Sequence, residues 1–149
     1  MKILLLEDDL ILNEIIEEHL LSQNYEVSAV YTGLEAQDLL YSQKFDLLLL
    51  DVNVPILNGF ELLKELRQKE IYTPAIFLTS LNQVSDIEEG FKSGCDDYIK
   101  KPFELKELDI RINNIKRLFN INPNNLIEIS TNIFLDVENL LIIKNDKQI

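Results

Sequence analysis

Two unbroken apolar runs constrain the fold of this chain more than any other feature. Residues 47–50 are four consecutive leucines, and residues 75–78 read Ala-Ile-Phe-Leu. Neither run alternates with polar residues, so both faces of these strands must be buried, as in a parallel sheet covered by helices. Shorter apolar segments at 3–6, 25–30 and 98–99 predict three further strands.

Segments with helical periodicity separate these strands. The predicted helices are 10–21, 33–43, 59–68, 85–93 and 104–119, each with an apolar stripe. In the first four, the predicted apolar faces consist of Leu12, Ile15, Ile16, Leu20, Leu34, Leu39, Leu40, Leu62, Leu63, Leu66, Ile87 and Phe91. Thr32 with Glu35, and Ser85 with Glu88, have the spacing of capping boxes, which predicts helix starts at both places.

The alternation of strands and helices predicts an α/β fold. Parallel strands need crossover connections, and these are right-handed almost without exception. We therefore predict a doubly wound, five-stranded parallel sheet of the flavodoxin-like (βα)5 type. A ligand site in such a sheet forms beyond the carboxyl ends of the strands, where the strand order switches.

The sequence changes character after residue 119. Residues 120–125 are polar, contain proline and predict a linker. Residues 126–149 form three short alternating segments, which predict a short antiparallel β segment. About 25 residues cannot bury a core of their own. This segment is therefore expected either to dock on the first domain, residues 1–119, or to belong to a second domain.

The composition is strongly acidic. The chain has 26 Asp and Glu residues against 14 Lys and Arg, a net charge of −12, and no segment is basic. We therefore expect no nucleic-acid surface in this part of the protein. No apolar run approaches the ~18 residues of a membrane span, and the single cysteine, Cys95, cannot form an internal disulfide. These features favour a cytoplasmic protein without membrane contact.

Polar side chains follow four of the predicted strands. Glu7 and Asp8 follow the first strand, Asp51 ends the third, Thr79 follows the fourth, and Lys101 follows the fifth. The carboxyl ends of parallel strands open at one edge, with neighbouring strands about 4.8 Å apart, so these groups can converge. Each residue alone has an ordinary structural explanation, such as helix capping by acids. Their shared position at four strand ends indicates a functional site.

Three carboxylates at one edge repel each other unless a cation lies among them. Mg²⁺ suits oxygen ligands and is usually bound by one or two carboxylates with water and phosphate oxygens. Glu7 and Asp8 would hold the metal, and Asp51 would be the nucleophile, since carboxylates form acyl phosphates. Lys101 and Thr79 would stabilise the transferred phosphoryl group.

Four segments of the chain resemble the response-regulator receiver family of two-component signalling. They are ILLLEDD at 3–9, DLLLLDVNVP at 46–55 with NGFEL at 58–62, PAIFLTS at 74–80, and GCDDYIKKPF at 94–103. The motifs occur in the family's order and spacing, and the match extends from residue 2 to about residue 119.

The resemblance implies roles for individual residues. Asp51 would accept a phosphoryl group from a sensor histidine kinase. Mg²⁺ would be held by Glu7, Asp8, Asp51 and the backbone carbonyl of Asn53. A coupled pair, Thr79 and Tyr98, would form the switch that responds to phosphorylation. Lys101 would contact the phosphoryl group, and the bond from Lys101 to Pro102 would be cis.

Residues 94–98 and 101–108, together with Arg111, resemble the OmpR/PhoB subfamily in particular. That resemblance implies a homodimer formed by the fourth helix, fifth strand and fifth helix. Its interface would contain Ile87, Asp96, Asp97, Glu107 and Arg111. It also implies a C-terminal winged-helix DNA-binding domain that controls transcription. Residues 126–149 would be its first β segment, and the chain is expected to stop early in that domain. A basic residue usual near position 87 or 88 is absent, which weakens the expected ionic interface.

Two other functions remain open from the residues alone. The first is a Mg²⁺-dependent phosphatase or phosphotransferase with an aspartyl-phosphate intermediate. Such an enzyme needs a second acid near its nucleophile, and Asn53 lies where one would be expected, so we predict that the chain is not an enzyme. The second is a dimerisation module that works without phosphorylation, against which the complete set of site residues argues.

Overall fold

Five strands and five helices alternate along the part of the chain that the structure describes, residues 1–80 and 84–120 of a computed structural model. The strands are β1 (Lys2–Leu6), β2 (Glu26–Val30), β3 (Leu47–Asp51), β4 (Ala75–Thr79) and β5 (Asp97–Lys100). The helices are α1 (Leu10–Ser22), α2 (Gly33–Ser42), α3 (Gly59–Gln68), α4 (Val84–Lys92) and α5 (Leu105–Phe119).

The chain divides into two units, Met1–Asn114 and Ile115–Ile149. The packing described below belongs to the first unit. The linker predicted at 120–125 lies outside the described residues except for Asn120, and the β segment predicted at 126–149 lies wholly outside them. Neither prediction is tested.

All strand pairs in the sheet are parallel, and the strand order is β2-β1-β3-β4-β5. This arrangement confirms the predicted doubly wound α/β fold. The chain runs from β1 to β2 at one edge of the sheet and then crosses back over β1 to β3. The strand order therefore reverses between β1 and β3. A crevice forms there at the carboxyl ends of the strands. Leu6 pairs with Leu50 in this register, which brings the residues that follow β1 close to Asp51.

The two central apolar runs are buried on both faces, as predicted. Every residue of β3 and β4 is buried, and the four leucines of 47–50 have no exposed surface. Residues of β1, β3 and β4 pack on one face with Ala36 and Leu40 of α2 and with the buried leucines of α3. Helices α1 and α5 are linked by a contact of 2.8 Å between Nε2 of His19 and Oδ1 of Asp109.

The helix stripes were predicted less accurately than the strands. All three predicted leucines of α3 are buried, but Ile15 and Leu34 are exposed, and Ile87 and Phe91 have 36% and 50% of their surface exposed. The predicted Ile16, Leu20 and Leu40 are buried, but α1 also buries Asn13, α2 also buries Gly33 and Ala36, and α4 buries Gly90. Small or polar residues occupy several of the inward positions, which an apolar pattern does not detect.

Helix starts show the same mixture of confirmed and wrong predictions. The capping box of Thr32 and Glu35 is present at α2. The capping box predicted from Ser85 and Glu88 is wrong, because α4 begins at Val84 and Ser85 lies inside the helix. A further capping box starts α3, where the side chain of Asn58 accepts a hydrogen bond from the Glu61 N–H at 2.9 Å.

Candidate functional site

Three carboxylates meet at the carboxyl edge of the sheet. Glu7, Asp8 and Asp51 each place one oxygen within 4.8 Å of the others. Glu7 and Asp51 are buried at 0% and 2% exposure, whereas Asp8 is exposed. The cluster therefore has a buried floor and an open side. The predicted convergence of these residues is what the structure shows.

Lys101 provides the cationic partner of this cluster. Its Nζ atom lies 2.6 Å from Oε1 of Glu7 and 3.5 Å from Oδ2 of Asp51. The peptide bond from Lys101 to Pro102 is cis, as the family resemblance implied. The Lys101 N–H donates to the carbonyl of Thr79 at 2.7 Å, which fixes the start of this loop against the end of β4.

The acids of the cluster carry more negative charge than one lysine compensates. The pKa of Asp51 is raised, first by burial and then by the charge of Glu7, against the opposing effects of Lys101 and the Asn53 N–H. The pKa of Asp8 is raised by loss of hydration and by its contact with Asp51. Burial alone would lower the pKa of Lys101, but its bond to Glu7 and the charge of Asp51 raise it overall. Further positive charge would therefore be stabilised here.

The loop after β3 holds Asp51 through backbone contacts. The Asn53 N–H donates to Oδ1 of Asp51 at 3.1 Å. Gly59 starts α3 so close to this strand that a Cβ atom there would lie 2.7 Å from the Asp51 carbonyl oxygen. A residue larger than glycine would push the helix away from the site. The role predicted for the Asn53 carbonyl remains a prediction.

Thr79 and Tyr98 are hydrogen-bonded through their side chains. Thr79 is fully buried at the end of β4, and Tyr98 is half-buried on the neighbouring strand. A Cβ atom at Gly90 would lie 3.4 Å from the Tyr98 ring, so this glycine lets α4 pack directly on the aromatic residue. The two residues predicted to act as a pair are therefore in contact, beside α4.

A small cavity of about 360 Å³ opens next to the lysine. It is lined by Leu12, Ser80, Lys101, Pro102 and Phe103. Its walls are mostly apolar, with Lys101 as the charged group. Leu12 of α1 forms one of its walls.

The residues predicted for the dimer face lie outside this cluster. Asp96 contacts Arg67 at 3.5 Å, and its carboxylate accepts a hydrogen bond from the Ala75 N–H at 2.9 Å. Arg111 lies 3.5 Å from Asp97 and 3.6 Å from Glu107 of the same chain. Ile87 is partly exposed on α4. These contacts within one chain leave the predicted interface untested.

Asn13 is a site residue that the sequence analysis missed. It is fully buried on α1, and its Nδ2 group donates to the carbonyl of Glu7 at 2.9 Å and to the carbonyl of Val30 at 3.1 Å. The signal was present in the sequence as a polar residue in register with the buried Ile16 and Leu20, on the stripe that faces the core.

The donor set of the cluster fits Mg²⁺. It consists of hard carboxylate oxygens, has an open side, and holds excess negative charge, which are the properties of sites that bind this ion with water and phosphate oxygens. Thiol and imidazole ligands, which softer metals prefer, do not occur in this group.

Comparison with known proteins decides the family. The family described as "Response regulator receiver domain" matches residues 3–113. The chain belongs to this family. The transcriptional regulatory protein CrdR of Helicobacter pylori is 44% identical over 149 residues, which is 99% of this chain and 67% of the relative. The response regulator PmrA of Pseudomonas aeruginosa is 40% identical over 78% of this chain and 53% of its own length.

Solved structures agree with this assignment. The receiver domain of the Francisella response regulator 1452 has a TM-score of 0.75 at 35% identity, and it covers 79% of this chain and 98% of its own. The non-phosphorylated HemR receiver domain of Leptospira biflexa has a TM-score of 0.72 at 38% identity, over 76% of this chain and 92% of its own.

The homologues of this receiver are transcriptional regulators of the OmpR/PhoB type, the subfamily that the sequence predicted. The chain spans about two thirds of CrdR and about half of most other curated relatives that it matches. Within residues 1–80 and 84–120, no helix is long and apolar enough to cross a membrane.

Proposed function

We propose that this receiver accepts a phosphoryl group on Asp51 from a sensor histidine kinase and thereby controls transcription. The observation that carries the proposal is the position of Asp51. Its carboxylate is buried at the base of an open acidic cluster, with Lys101 at 3.5 Å and the Asn53 N–H at 3.1 Å. A carboxylate held in this way can attack a phosphorus atom that enters from the open side.

Mg²⁺ would be held by Glu7, Asp8, Asp51 and the carbonyl of Asn53. When bound, the ion supplies positive charge that offsets the negative charge of the phosphoryl group. Oδ2 of Asp51 forms the new bond to phosphorus, while the bond from phosphorus to the donor's nitrogen breaks and its electron pair leaves with the donor. Lys101 pairs with a phosphoryl oxygen, and the Asn53 N–H keeps the second oxygen of Asp51 in place.

The phosphoryl group would be detected through Thr79 and Tyr98. The Thr79 hydroxyl would move its hydrogen bond to the new phosphate oxygens, which changes the contact that holds Tyr98 beside Gly90. Helix α4 and strand β5 would then shift as one two-state element. Phosphorylation adds charge and acceptor oxygens at one point, and this element would carry the change to the surface.

The output of that change would be a homodimer through α4, β5 and α5. Ile87 would provide apolar contact, while Asp96, Asp97, Glu107 and Arg111 would provide ion pairs. Arg111 is within 3.6 Å of Asp97 and Glu107 in the single chain. Dimerisation would exchange these contacts for equivalent ones across the two-fold axis. Exposed pairs of this kind contribute only about 0–1 kcal/mol each, so apolar contact would dominate.

DNA binding would belong to the second domain. CrdR aligns with residues in the tail as well as in the receiver, because the match covers 99% of the chain. We propose that residues 1–119 are the receiver, 120–125 a linker, and 126–149 the first β segment of a winged-helix domain. Such a regulator would work in the cytoplasm, where its DNA and its kinase are accessible.

The number of phosphoryl groups that each chain takes up distinguishes this function from the enzymatic alternative. With Mg²⁺ and phosphoramidate as a small phosphodonor, the purified chain should take up one hydroxylamine-labile phosphoryl group. With p-nitrophenyl phosphate it should show no sustained release of product, because Asn53 occupies the position where an aspartyl-phosphate enzyme would carry an acid. Continuous hydrolysis of the ester that depends on Asp51 would contradict the proposal and favour a phosphatase.

A further inference from the structure

The buried amide of Asn13 joins the ends of two strands immediately below the acidic cluster. Its Nδ2 group donates to the Glu7 carbonyl at 2.9 Å and to the Val30 carbonyl at 3.1 Å. The Val30 carbonyl also accepts the Glu7 N–H at 3.2 Å. Both backbone groups of Glu7 are therefore hydrogen-bonded: its N–H to the Val30 carbonyl, and its carbonyl to the Asn13 side chain of α1.

The orientation of this amide follows from its neighbours. Reversing it would place Oδ1 against two carbonyl oxygens, and acceptors cannot satisfy each other. In the orientation observed, Oδ1 is buried and has no hydrogen-bond partner within residues 1–80 and 84–120. A buried polar atom without a partner lowers stability, so the presence of an amide here needs a reason other than packing.

The two carbonyls do not depend on Asn13 equally. The Val30 carbonyl keeps the Glu7 N–H as a partner if the amide is removed. The Glu7 carbonyl belongs to the peptide unit that leads into Asp8, and Asn13 donates to it directly. Two carboxylates of the acidic cluster extend from the two ends of this one peptide unit. Rotation of that unit would move both of them.

We propose that Asn13 is a positioning residue that fixes the peptide unit between Glu7 and Asp8, and so sets the spacing of the cation-binding carboxylates. The inference rests on the proposed function, because it treats the cluster as the Mg²⁺ site. It adds a residue on α1 that contacts neither ion nor phosphoryl group. Partners that orient the ligands of a metal typically change its affinity by about 10–100-fold when they are removed.

Hydrogen exchange of the Asp9 amide tests this role without any metal. The Asp9 N–H donates to Oε2 of Glu7 at 3.0 Å, so it is protected only while the Glu7 side chain keeps its place. If Asn13 positions Glu7, then Asn13→Leu should release this amide selectively. If Asn13 served only the stability of the fold, all slowly exchanging amides would accelerate by the same factor.

The experiment measures the amide hydrogen exchange of Asp9 by NMR without metal, and the dissociation constant of Mg²⁺ by calorimetry. The chain is compared with Asn13→Leu, with the smaller Asn13→Ser in case the leucine prevents folding, and with Ile16→Val as a control. Ile16 is fully buried one turn further along α1. After correction for global unfolding, both Asn13 variants should accelerate exchange at Asp9 about fivefold and raise the dissociation constant about tenfold.

Ile16→Val should change neither quantity. Uniform acceleration of exchange in the Asn13 variants, or unchanged exchange at Asp9, would overturn the positioning role. If the unaltered chain failed to bind Mg²⁺, the proposed function would fail, and the exchange at Asp9 would still decide whether Asn13 holds Glu7 in place.

Discussion

The Nζ atom of Lys101 lies 2.6 Å from Oε1 of the fully buried Glu7. This contact links the loop after β5 to the end of β1, although β3 and β4 lie between these strands in the sheet. The same Nζ atom is also 3.5 Å from Asp51. One lysine therefore neutralises part of the charge of two buried acids, and any entering phosphoryl group must share it.

Replacing this lysine should destabilise the receiver. In metal-free buffer at pH 7 we expect Lys101→Met to lower the free energy of unfolding by about 2 kcal/mol, because it leaves buried carboxylates without a cation. The loss is smaller than for a fully buried pair because the Lys101 side chain is 20% exposed. Urea unfolding measures the change. The neighbouring Lys100 is exposed, so Lys100→Met should cost less than about 0.5 kcal/mol. Equal effects of the two substitutions would contradict this account of the site.

The raised pKa of Asp51 predicts a stability that depends on pH. A carboxyl group with a folded-state pKa above its ordinary value near 3.8 favours folding when protonated, and this contribution is lost as the pH rises through the folded pKa. At pH 7 without metal, Asp51→Asn should therefore raise the free energy of unfolding by about 1 kcal/mol. The gain should shrink as the pH falls toward 4.

Thermal and urea unfolding between pH 4 and pH 8 would measure this difference. Asp38→Asn changes an exposed acid of α2 and is the matched control, which should show no such gain. Saturating Mg²⁺ should make the unaltered chain more stable than Asp51→Asn. A ligand at 100 times its dissociation constant stabilises the chain that binds it by about 2.7 kcal/mol. A gain for Asp51→Asn that is independent of pH would show that ionisation of the buried carboxyl group is not its cause.

Ile56 should be replaceable with a gain in stability. It is 87% exposed and has a φ angle of +71° in the loop between β3 and α3. Side chains branched at Cβ are strained in this left-handed region, whereas asparagine tolerates it. We expect Ile56→Asn to raise the free energy of unfolding by about 1 kcal/mol, measured in urea, with little loss of packing. Ile56→Val keeps the branch at Cβ and should give no gain in stability. Equal stability of the two variants would show that the side chain of Ile56 does not strain the backbone.

The hydrogen bond between Thr79 and Tyr98 should appear as a coupling energy. In a double-mutant cycle of Thr79→Val and Tyr98→Phe, we expect the two effects on unfolding to differ from additivity by about 1 kcal/mol. Tyr72 is 68% exposed, and pairing Tyr72→Phe with Thr79→Val should give purely additive effects. Additive behaviour of the Tyr98 pair would mean that the contact does not couple these residues in solution.

The sequence predicted the sheet well because a strand that is buried on both faces has an unbroken run of apolar residues. The leucines of 47–50 could be placed in a central parallel strand without any other information, and the strand ends then located Glu7, Asp51 and Lys101. The helices were harder, because a stripe predicted from apolar residues alone assigned Ile15 and Ile87 to a face that the structure leaves partly exposed.

Asn13 and Asp96 show what such reasoning cannot reach. Asn13 is buried because two backbone carbonyls need its amide, and those carbonyls come together only in the folded sheet. The dimer-face role of Asp96 stays a prediction, but its contact within the chain was not foreseen: it lies against Arg67, whose guanidinium also donates to the Gly94 carbonyl at 2.9 and 3.1 Å. These contacts join residues distant in sequence. The register of Asn13 with Ile16 and Leu20 indicates that it faces the core, but it does not indicate which groups the amide meets there.

The most direct test is to map the phosphoryl group. The chain is incubated with phosphoramidate, with and without Mg²⁺, and analysed by mass spectrometry of the intact protein and of its peptides, alongside Asp51→Asn. We predict a single phosphoryl group, located on Asp51, dependent on Mg²⁺ and absent from the variant. Phosphorylation of Asp51→Asn at the same rate as the unaltered chain would contradict it.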